Sequence, residues 1–344
     1  MKGSVIALDQ FNGKEAAALM IDGHLDDVIL ALPDGVVAPE TILRGKMGRP
    51  VKGLGGAFVD LPDGLRGFLR QTKGLRPGDP VLVQVTGLAE QGKAIPVTTR
   101  LLFKSRYAIV TPDAPGLNIS RQIVDDDLRA ILAGLAQSAM EGAQTGMGLI
   151  LRSACADADE DEIAHDIARM RELAQQVLAD ASGAPETLVA AAGPHMAAWR
   201  DWAMPDTLDD AADSFQRHNV IDAIDSLRQA HVPLSGGAHM QVEVTSAFVT
   251  IDVNTGPDTS PAAGLKANIA AARELPRQLR LRGLGGQVMI DFAPCAKKDR
   301  QVLEQSLRAS FRRDGRDTVL AGWTPLGNYE LTRKRDRVAL SVCL

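Results

Sequence analysis

The sequence predicts an α/β protein that is divided into several subdomains, and three observations lead to this prediction. Strand-like runs within residues 42–102 are separated by glycine-rich turns about every ten residues, which is the spacing of a small β-barrel. Residues 124–143 and 158–179 instead have apolar positions three or four residues apart, which indicates amphipathic helices. Nearer the C-terminus, strand, helix and strand patterns follow one another, an order typical of parallel strands joined by a crossover helix.

The remaining segments are assigned in chain order. Residues 3–31 have the pattern of a few short strands, and residues 147–154 (MGLILRSA) have the pattern of one more. Residues 213–230 and 299–313 are predicted to be helices, and a polar tail follows the second of them. Residues 180–210 are rich in alanine and proline and give no clear element.

Composition restricts the class of protein. Apolar residues make up 45% of the 344 residues, enough for a large core, and no run of about 18 apolar residues predicts a membrane span. The start, MKGSVIALDQ, lacks the apolar block of a secretory signal. Cys155, Cys295 and Cys343 form no Cys-x-x-Cys pair, which argues against a disulfide framework and against a cysteine zinc site. We therefore expect a cytoplasmic protein.

The net charge of −5 is unevenly distributed along the chain. Residues 125–166 contain ten acidic and two basic residues, a local charge of −8. Residues 266–316 contain twelve basic and five acidic residues, a local charge of +7. A basic surface beside a carboxylate site would suit a polyanionic substrate. Ordinary solvated helix faces would give the same distribution, so charge alone leaves both interpretations open.

Two similar stretches, AFVTIDVNTG and GQVMIDFAPC, each place one aspartate near the end of an apolar strand. Asp252 lies in the strand predicted over 240–253, and Asp291 lies in the strand predicted over 286–292. The helix predicted over 266–282 would make these strands parallel, so their C-terminal ends meet at one edge of the sheet. That edge is where open α/β sheets bind ligands.

A cation would reconcile two carboxylates on neighbouring strands. Strands lie roughly 4.8 Å apart, so the two charges repel unless one takes up a proton or a cation lies between them. Magnesium prefers oxygen ligands and is commonly held by one or two carboxylates plus substrate phosphate. Asn254 shares a strand face with Asp252 and supplies a neutral oxygen or a donor. Such a site can polarise a phosphodiester and activate water. Aspartates that cap helices or bind loop amides are the alternative.

Three C-terminal segments, VTIDVNTG, NIAAARELPRQLRLRGLGGQVMIDF and LGNYELTRKR, closely resemble the catalytic core of the ribonuclease E/G family. Upstream, ILRGKMGRPVKGLGGAFVDLPDGLRGFLR and GKAIPVTTRLLFKSRYAIVTP resemble the start and the end of the family's inserted RNA-binding OB-type barrel. TGMGLILRSA resembles the segment that recognises a 5′-phosphate, and FQRHNVIDAIDSLRQAHVPLSGG resembles the lead-in to the catalytic subdomain. The resemblance covers most of the chain.

The resemblance implies an order of subdomains. A ribonuclease-H-like subdomain would comprise residues 1–35 and a shortened second part, residues 179–236. Between them would lie an OB-fold RNA-binding barrel over residues 36–102 and a 5′-phosphate sensor region over residues 103–178. Residues 237–344 would form a DNase I-like catalytic α/β subdomain.

The resemblance also implies an activity. Members of the family are endoribonucleases that cleave single-stranded RNA in RNA processing and decay, including rRNA processing. They use Mg²⁺, and Mn²⁺ is an alternative ion. They leave a 5′-phosphate and a 3′-hydroxyl. The expectation for this chain is therefore a magnesium-dependent endoribonuclease.

Matched position by position, the resemblance assigns roles to individual residues. Asp252 and Asp291 fall on the family's magnesium ligands, and Asn254 falls on their companion in the catalytic site. Phe58 and Phe68 fall on the aromatic residues of the RNA-binding barrel, and Lys93 falls on its phosphate-binding lysine. Arg152 and Ser153 fall on the Arg-Thr pair that holds the terminal phosphate of the RNA.

Four features depart from the family pattern. The two-cysteine motif that links chains through zinc is absent, so we expect no structural zinc and no zinc-linked tetramer, while a homodimer stays open. Ser246 replaces an acid ahead of the catalytic strand, which would weaken the negative field near the metal. Pro294 stands where the family often has another aspartate, which makes a second metal less secure. Pro276 interrupts the arginine-rich helix, where we expect it to kink the axis and redirect Arg277 and Arg280.

Two other functions fit the sequence. A catalytically silent RNA-binding protein of the same fold would keep the barrel and the basic surface without the chemistry. A magnesium-dependent phosphatase or nucleotidyl enzyme would act on small substrates and would not need the barrel.

Overall fold

The computed structural model of the protein describes residues 2–89 and 92–344, which fall into two compact units. Unit 1 combines Met1–Asp34 with Pro205–Leu344, and unit 2 is Gly35–Met204. None of the helices in this part of the chain is both long enough and apolar enough to cross a bilayer.

Strands outnumber helices in both units. The strands are β1 (Ser4–Phe11), β2 (Lys14–Ile21), β3 (His24–Leu30), β4 (Ile42–Val51), β5 (Gly56–Asp60), β6 (Arg66–Leu69), β7 (Pro80–Val85), β8 (Ile95–Thr98), β9 (Phe103–Lys104), β10 (Ala108–Thr111), β11 (Gly116–Ile119), β12 (Gly148–Leu151), β13 (Glu186–Val189), β14 (Thr207–Asp209), β15 (His231–Pro233), β16 (His239–Val244), β17 (Val249–Asn254), β18 (Gly286–Asp291), β19 (Thr318–Trp323) and β20 (Tyr329–Arg333). The helices are α1 (Asp126–Ala139), α2 (Glu160–Ala179), α3 (Pro194–Asp201), α4 (Ser214–Arg217), α5 (Val220–Leu227), α6 (Ala263–Leu281), α7 (Arg300–Asp314) and α8 (Leu340–Cys343).

In unit 1, β1, β2 and β3 form an antiparallel meander, and β14 lies parallel to β1 at the edge of this sheet. The turns of the meander are Asn12-Gly13 and Asp22-Gly23, in which all four residues have positive φ angles. A two-residue hairpin turn with positive φ at both positions is the one that Asn-Gly and Asp-Gly adopt with the least strain. Phe215 of α4 packs against this sheet.

The second sheet of unit 1 carries the predicted catalytic aspartates, and its strand order is β15-β16-β17-β18-β20-β19. β17 and β18 are parallel and joined by α6, whereas the other neighbouring pairs are antiparallel. Ile251 and Ile290 point into a core that also contains Leu275 of α6 and Leu307 of α7. The side chains that point away from these helices form a surface that we call the polar face. Its members on the first four strands include His231, His239, Gln241, Glu243, Thr250, Asp252, Asn254 and Asp291.

Two parts of this sheet differ from the sequence-based expectation. The stretch 240–253, predicted as one strand, is a hairpin of β16 and β17 in which Thr245 Oγ1 accepts a hydrogen bond from the amide of Phe248 (3.0 Å). No glycine or proline marks the turn between the two apolar arms. The segment predicted as a polar tail forms β19, β20 and α8, and Tyr329 and Leu331 of β20 are buried beside β18.

Buried carboxylates bind several arginines within unit 1. Asp314, whose side chain is 1% exposed, pairs with Arg280 and with Arg333 (2.7 Å). Asp27 pairs with Arg337. Burial by itself would raise the pKa of Asp27, but Arg337 and the neighbouring arginines hold that pKa below its ordinary value. These arginines therefore stabilise the fold and do not add to a basic surface.

In unit 2, strands β4, β5, β6, β8 and β7 pair in a ring that closes between β7 and β4, and β13 also pairs with β4. Inward-pointing residues such as Val59, Leu69 and Val83 form the core of this barrel. The ring confirms the predicted mixed α/β architecture with a small barrel, and it is consistent with an OB-like fold. The ribonuclease-H-like and DNase I-like assignments and the subdomain boundaries stay predictions.

The other sheet of unit 2, in the order β11-β12-β10-β9, shares a hydrophobic core with α1 and α2. Asp125 caps α1 by accepting a hydrogen bond from the amide of Leu128, and Asp159 caps α2 through the amide of Asp161. Asp166 is buried and accepts hydrogen bonds from the hydroxyl of Ser105 and the amide of Tyr107. Part of the acidic segment of the sequence therefore has a structural role.

We predict that Asp314→Ala lowers the free energy of unfolding by about 3–5 kcal/mol, because it takes the carboxylate partner from the buried Arg333 and one of the carboxylate partners from Arg280. Urea denaturation followed by circular dichroism measures the change. Asp210→Ala, at an exposed aspartate of the same unit, serves as the control and is expected to change stability by less than about 0.5 kcal/mol. Equal effects of the two substitutions would contradict a stabilising role for the Asp314 pairs.

Candidate active site

The pairing of β17 with β18 places the two predicted metal ligands side by side. Asp252 and Asp291 are partners in the parallel register. Ile251 and Ile290 point into the core, so both carboxylates project from the polar face, where both aspartates are exposed. Adjacent strands lie about 4.8 Å apart, which brings the two side chains within reach of one ion.

The two carboxylates have no ion-pair partner in the part of the chain that the structure describes. Asn254 Nδ2 donates a hydrogen bond to Asp252 Oδ2 at 2.9 Å, as the alternation of β17 requires. Among the residues that the structure describes, no lysine or arginine forms an ion pair with Asp252 or Asp291. Two close, unpaired carboxylates favour the binding of a cation.

The loop that follows Asp291 is fixed by the start of α6. Asn268, which is fully buried, donates through Nδ2 to the carbonyl of Ala293 (2.8 Å) and accepts from its amide through Oδ1 (2.9 Å). Gly264 allows this approach, because a Cβ there would lie 2.0 Å from the carbonyl oxygen of Pro294. Sequence reasoning did not single out Asn268. The indication that the sequence offered was a polar residue, Asn268, among the apolar residues on one side of α6.

The donor set at the end of the two strands suits a hard cation. Mg²⁺ typically takes one or two carboxylates from the protein and fills its remaining positions with water and substrate oxygens. Asp252 and Asp291 provide that number, and Asn254 adds an amide beside them. Within residues 2–89 and 92–344, no group of three or more histidine, cysteine, aspartate or glutamate side chains is arranged to hold a metal.

The position of the replaced acid, Ser246, lies away from the carboxylates. Ser246 is exposed in the turn that precedes β17, at the opposite end of that strand from Asp252. The three steps from Val249 to Asp252 alone span about 10 Å. The loss of an acid at Ser246 therefore affects the field at Asp252 less than the sequence suggested. Pro294 is exposed in the loop that follows Asp291.

The proline within the arginine-rich helix does not end it, since α6 continues through Pro276. Arg277 donates to the carbonyl of Leu25 (2.8 Å), and Arg280 donates to the carbonyl of Asp26 (2.9 Å). Both guanidinium groups are thus bound to β3 of the same unit. Arg277 and Arg280 are therefore occupied with β3 and do not form a basic surface beside the aspartates.

On the barrel, Phe58 of β5 faces Phe68 of β6 in the antiparallel register. Their rings meet edge to face, with centroids 5.7 Å apart. Val59 and Leu69 point inward, so the two phenylalanines lie half-buried on the outside of the barrel and not in its core. The guanidinium of Arg66, which sequence reasoning had not singled out, lies 4.8 Å from the centroid of the Phe58 ring. Aromatic rings beside a cation form a surface on which unpaired bases stack.

The remaining predicted RNA contacts lie elsewhere in unit 2. Lys93 is exposed in the turn that precedes β8. Ser153 is exposed as the first residue of a short 3-10 helix, Ser153–Asp157. Both side chains are thus accessible to solvent.

Arg152, the predicted phosphate-binding arginine, already has a carboxylate partner. Its Nη2 lies 2.7 Å from Asp201 Oδ1, and its Nη1 donates to the carbonyls of Ser105 and Arg200. Burial would raise the pKa of Asp201, but Arg200 and Lys104 hold that pKa well below its ordinary value. A phosphate that binds Arg152 must therefore compete with an ionised carboxylate.

Two polar side chains on β16 flank the aspartate strand and were not predicted as site residues. Gln241 is the cross-strand partner of Asp252, and His239 is the partner of Asn254. Sequence reasoning missed them because it read β16 and β17 as one strand. A hairpin turn at residues 245–248 brings them beside the site.

Relatives with known names cover most of this chain. It is 29% identical over 358 residues to the ribonuclease E of Synechocystis sp., a match that covers 91% of this chain and 52% of that protein. It is 25% identical over 360 residues to the ribonuclease G of Haemophilus influenzae, covering 87% of this chain and 73% of that protein. The ribonuclease E of Escherichia coli is 25% identical over 384 residues, covering 94% of this chain and 36% of that protein. The chain thus spans about half the length, or less, of these ribonuclease E relatives.

A family model gives the same assignment. Residues 103–209 and 204–336 match the model described as the Ribonuclease E/G family, so the match extends over more than half of the chain. The matched residues include Arg152, Asp252 and Asp291, and the last two lie in register on adjacent parallel strands. This chain belongs to the ribonuclease E/G family.

Proposed function

We propose that this protein is a metal-dependent endoribonuclease that cleaves single-stranded RNA. The observation that carries the proposal is the pair Asp252 and Asp291, which lies in register on an exposed face with no cation of the described chain bound to it. Membership of the ribonuclease E/G family supports it, as do the names ribonuclease E and ribonuclease G of the relatives.

Mg²⁺ is the ion that we propose for this site, with Mn²⁺ as a substitute and with Asp252 and Asp291 as its protein ligands. When bound, such an ion polarises the phosphodiester and lowers the pKa of the attacking water. Asn254 holds Asp252 in place through its amide N–H, and its amide oxygen is left to orient water or substrate. The products would carry a 5′-phosphate and a 3′-hydroxyl.

We propose that the barrel holds the single strand. Phe58 and Phe68 would stack on bases, and Lys93 would bind phosphate. Arg152 and Ser153 would bind a terminal 5′-phosphate after it displaces Asp201 from Arg152. The ordered ion pairs of Asp201 oppose that exchange, so this contact is the weakest part of the proposed RNA path.

A catalytically silent RNA-binding protein is the alternative that the sequence left open. Such a protein has no need for two carboxylates in register. Adjacent carboxylates repel each other, and a bound cation relieves that repulsion. In this chain Asp252 is paired in register with Asp291 and accepts a hydrogen bond from Asn254. The geometry therefore favours the enzyme.

Removal of either carboxylate is expected to abolish the binding of Mn²⁺, used as a spectroscopic substitute for Mg²⁺. We predict that Asp252→Asn and Asp291→Asn lose it, because the remaining single carboxylate attracts the ion too weakly, and that Asn254→Ala weakens it about 10- to 100-fold. Electron paramagnetic resonance titration measures the free ion. Glu243→Gln removes the same charge from the same face and should change the affinity less than about threefold. If both aspartate variants bound Mn²⁺ with wild-type affinity, Asp252 and Asp291 would not be the metal ligands.

RNA cleavage tests the activity itself. We expect the protein to cut a 5′-monophosphorylated, A/U-rich single-stranded oligonucleotide internally, to require Mg²⁺ and to stop when a chelator is added. Asp252→Asn should retain its circular dichroism spectrum and lose cleavage, since it lacks a metal ligand. Gel analysis with end-labelled RNA gives both the rate and the ends. Cleavage by Asp252→Asn at the wild-type rate would disprove the assignment, and a gel shift without cleavage by the wild type would support the silent RNA-binding protein.

The barrel contacts are tested by changing the rings. Phe58→Ala and Phe68→Ala should each raise KM for single-stranded RNA by about 5- to 160-fold, because each lost base stack costs about 1–3 kcal/mol, with a smaller effect on kcat. Phe58→Tyr and Phe68→Tyr keep an aromatic ring and serve as matched controls with KM near the wild-type value. Steady-state kinetics decides between these outcomes. Equal KM values in the alanine variants and the wild type would exclude stacking on this barrel.

A further inference from the structure

The polar face continues beyond the aspartates onto β16 and β15. His239 is the cross-strand partner of Asn254, and Gln241 is the partner of Asp252. His231 of β15 is in turn the partner of Gln241. Met240 and Val242 alternate with these residues and point into the core, so the three polar side chains share the face of the two carboxylates.

The two imidazole rings lie together on this face. The ring centroids of His231 and His239 are 4.8 Å apart, with planes inclined at 32°. His231 is exposed and His239 is half-buried. Gln241 Nε2 lies 3.4 Å from His231 Nδ1, which is the one hydrogen bond that the described residues give to this ring pair. Neither imidazole forms an ion pair in residues 2–89 and 92–344, so the rings are not held as part of a structural salt bridge.

The distance from these rings to the carboxylates suits a neighbouring nucleotide. His239 is a diagonal neighbour of Asp252 on the adjacent strand, at about 7–8 Å, and His231 lies two strands from Asp252, at about 10 Å. Imidazole rings are among the aromatic groups on which unpaired RNA bases stack. His231 also lines a cavity of ≈ 350 Å³ together with other residues of β15, among them Val232 and Pro233.

We propose that His231 and His239 form a stacking platform for the nucleobase adjacent to the phosphate that binds at Asp252 and Asp291. This proposal rests on the proposed endoribonuclease function and adds a subsite to it. The imidazole pair positions one base, so it determines which phosphodiester lies at the carboxylates. Gln241 orients the His231 ring through its side-chain amide.

The experiment combines protein variants with abasic substrates. Steady-state cleavage is measured for the wild type, His231→Ala, His239→Ala, the double alanine variant, and His231→Phe/His239→Phe. The substrates are the intact single-stranded RNA and a series with one abasic nucleotide at each position on either side of the cut. His165→Ala, at an exposed histidine of α2 in unit 2, is the matched control.

We expect each alanine variant to raise KM about tenfold on intact RNA and the phenylalanine pair to restore KM to within about threefold of the wild type. One abasic position should raise the wild-type KM by a similar factor and have no further effect in the double alanine variant. Because the ring and the base then act as one contact, their effects are not additive. His165→Ala should match the wild type on every substrate.

Two results would overturn the platform while leaving the nuclease assignment intact. One is a double alanine variant that cleaves intact RNA with wild-type KM. The other is a phenylalanine pair that stays as impaired as the alanine pair, because that result assigns the imidazoles a role other than stacking. Absence of cleavage by the wild type on any substrate would instead count against the proposed function. In that event, fluorescence quenching of 2-aminopurine RNA by the protein, with and without the histidines, still tests the stacking.

Discussion

The parallel pairing of β17 with β18 is the contact on which the candidate active site depends. It forms because α6 links the two strands and packs Leu275 against Ile251 and Ile290. The side-chain alternation that buries these isoleucines exposes Asp252 and Asp291. A slip of one residue would drive a carboxylate into the apolar core, where an ionised group is strongly disfavoured. Burial of the apolar residues therefore enforces the meeting of the carboxylates.

In the sheet that carries the aspartates, one face stabilises the fold and the opposite face carries the candidate active site. On the helix side, apolar contacts and Asn268, which binds the loop after Asp291, hold the strands in place. On the other side, the carboxylates form no ion pair with any residue that the structure describes, and Asn254 donates a hydrogen bond to Asp252. Basic residues show the same separation, because arginines such as Arg280 and Arg333 are bound to buried carboxylates. A count of positive charge along the sequence thus overestimates the basic surface of the molecule.

Local patterns predicted much of the fold. Alternation and turn spacing predicted the barrel, three- and four-residue spacing predicted α1, α2, α6 and α7, and apolar strands ending in aspartates predicted the metal pair. The hairpin at residues 245–248 was missed because no glycine or proline separates β16 from β17. β20 was missed because its inward residues, Tyr329 and Leu331, are interrupted by polar ones that face away. Both errors arise where pairing with a neighbouring strand decides the extent of a strand more than its own residues do.

The sequence by itself determined the local backbone, the faces of each strand, the positions of Asp252 and Asp291, and the family to which the chain belongs. Only the tertiary structure decided which side chains became neighbours. It placed His239 beside Asn254 and bound Arg152 to Asp201, which lies 49 residues away along the chain. The physical reason is that the periodicity of a segment indicates which of its residues face the core and which face solvent. Strand order and ion pairing arise instead from contacts between segments that are distant in sequence.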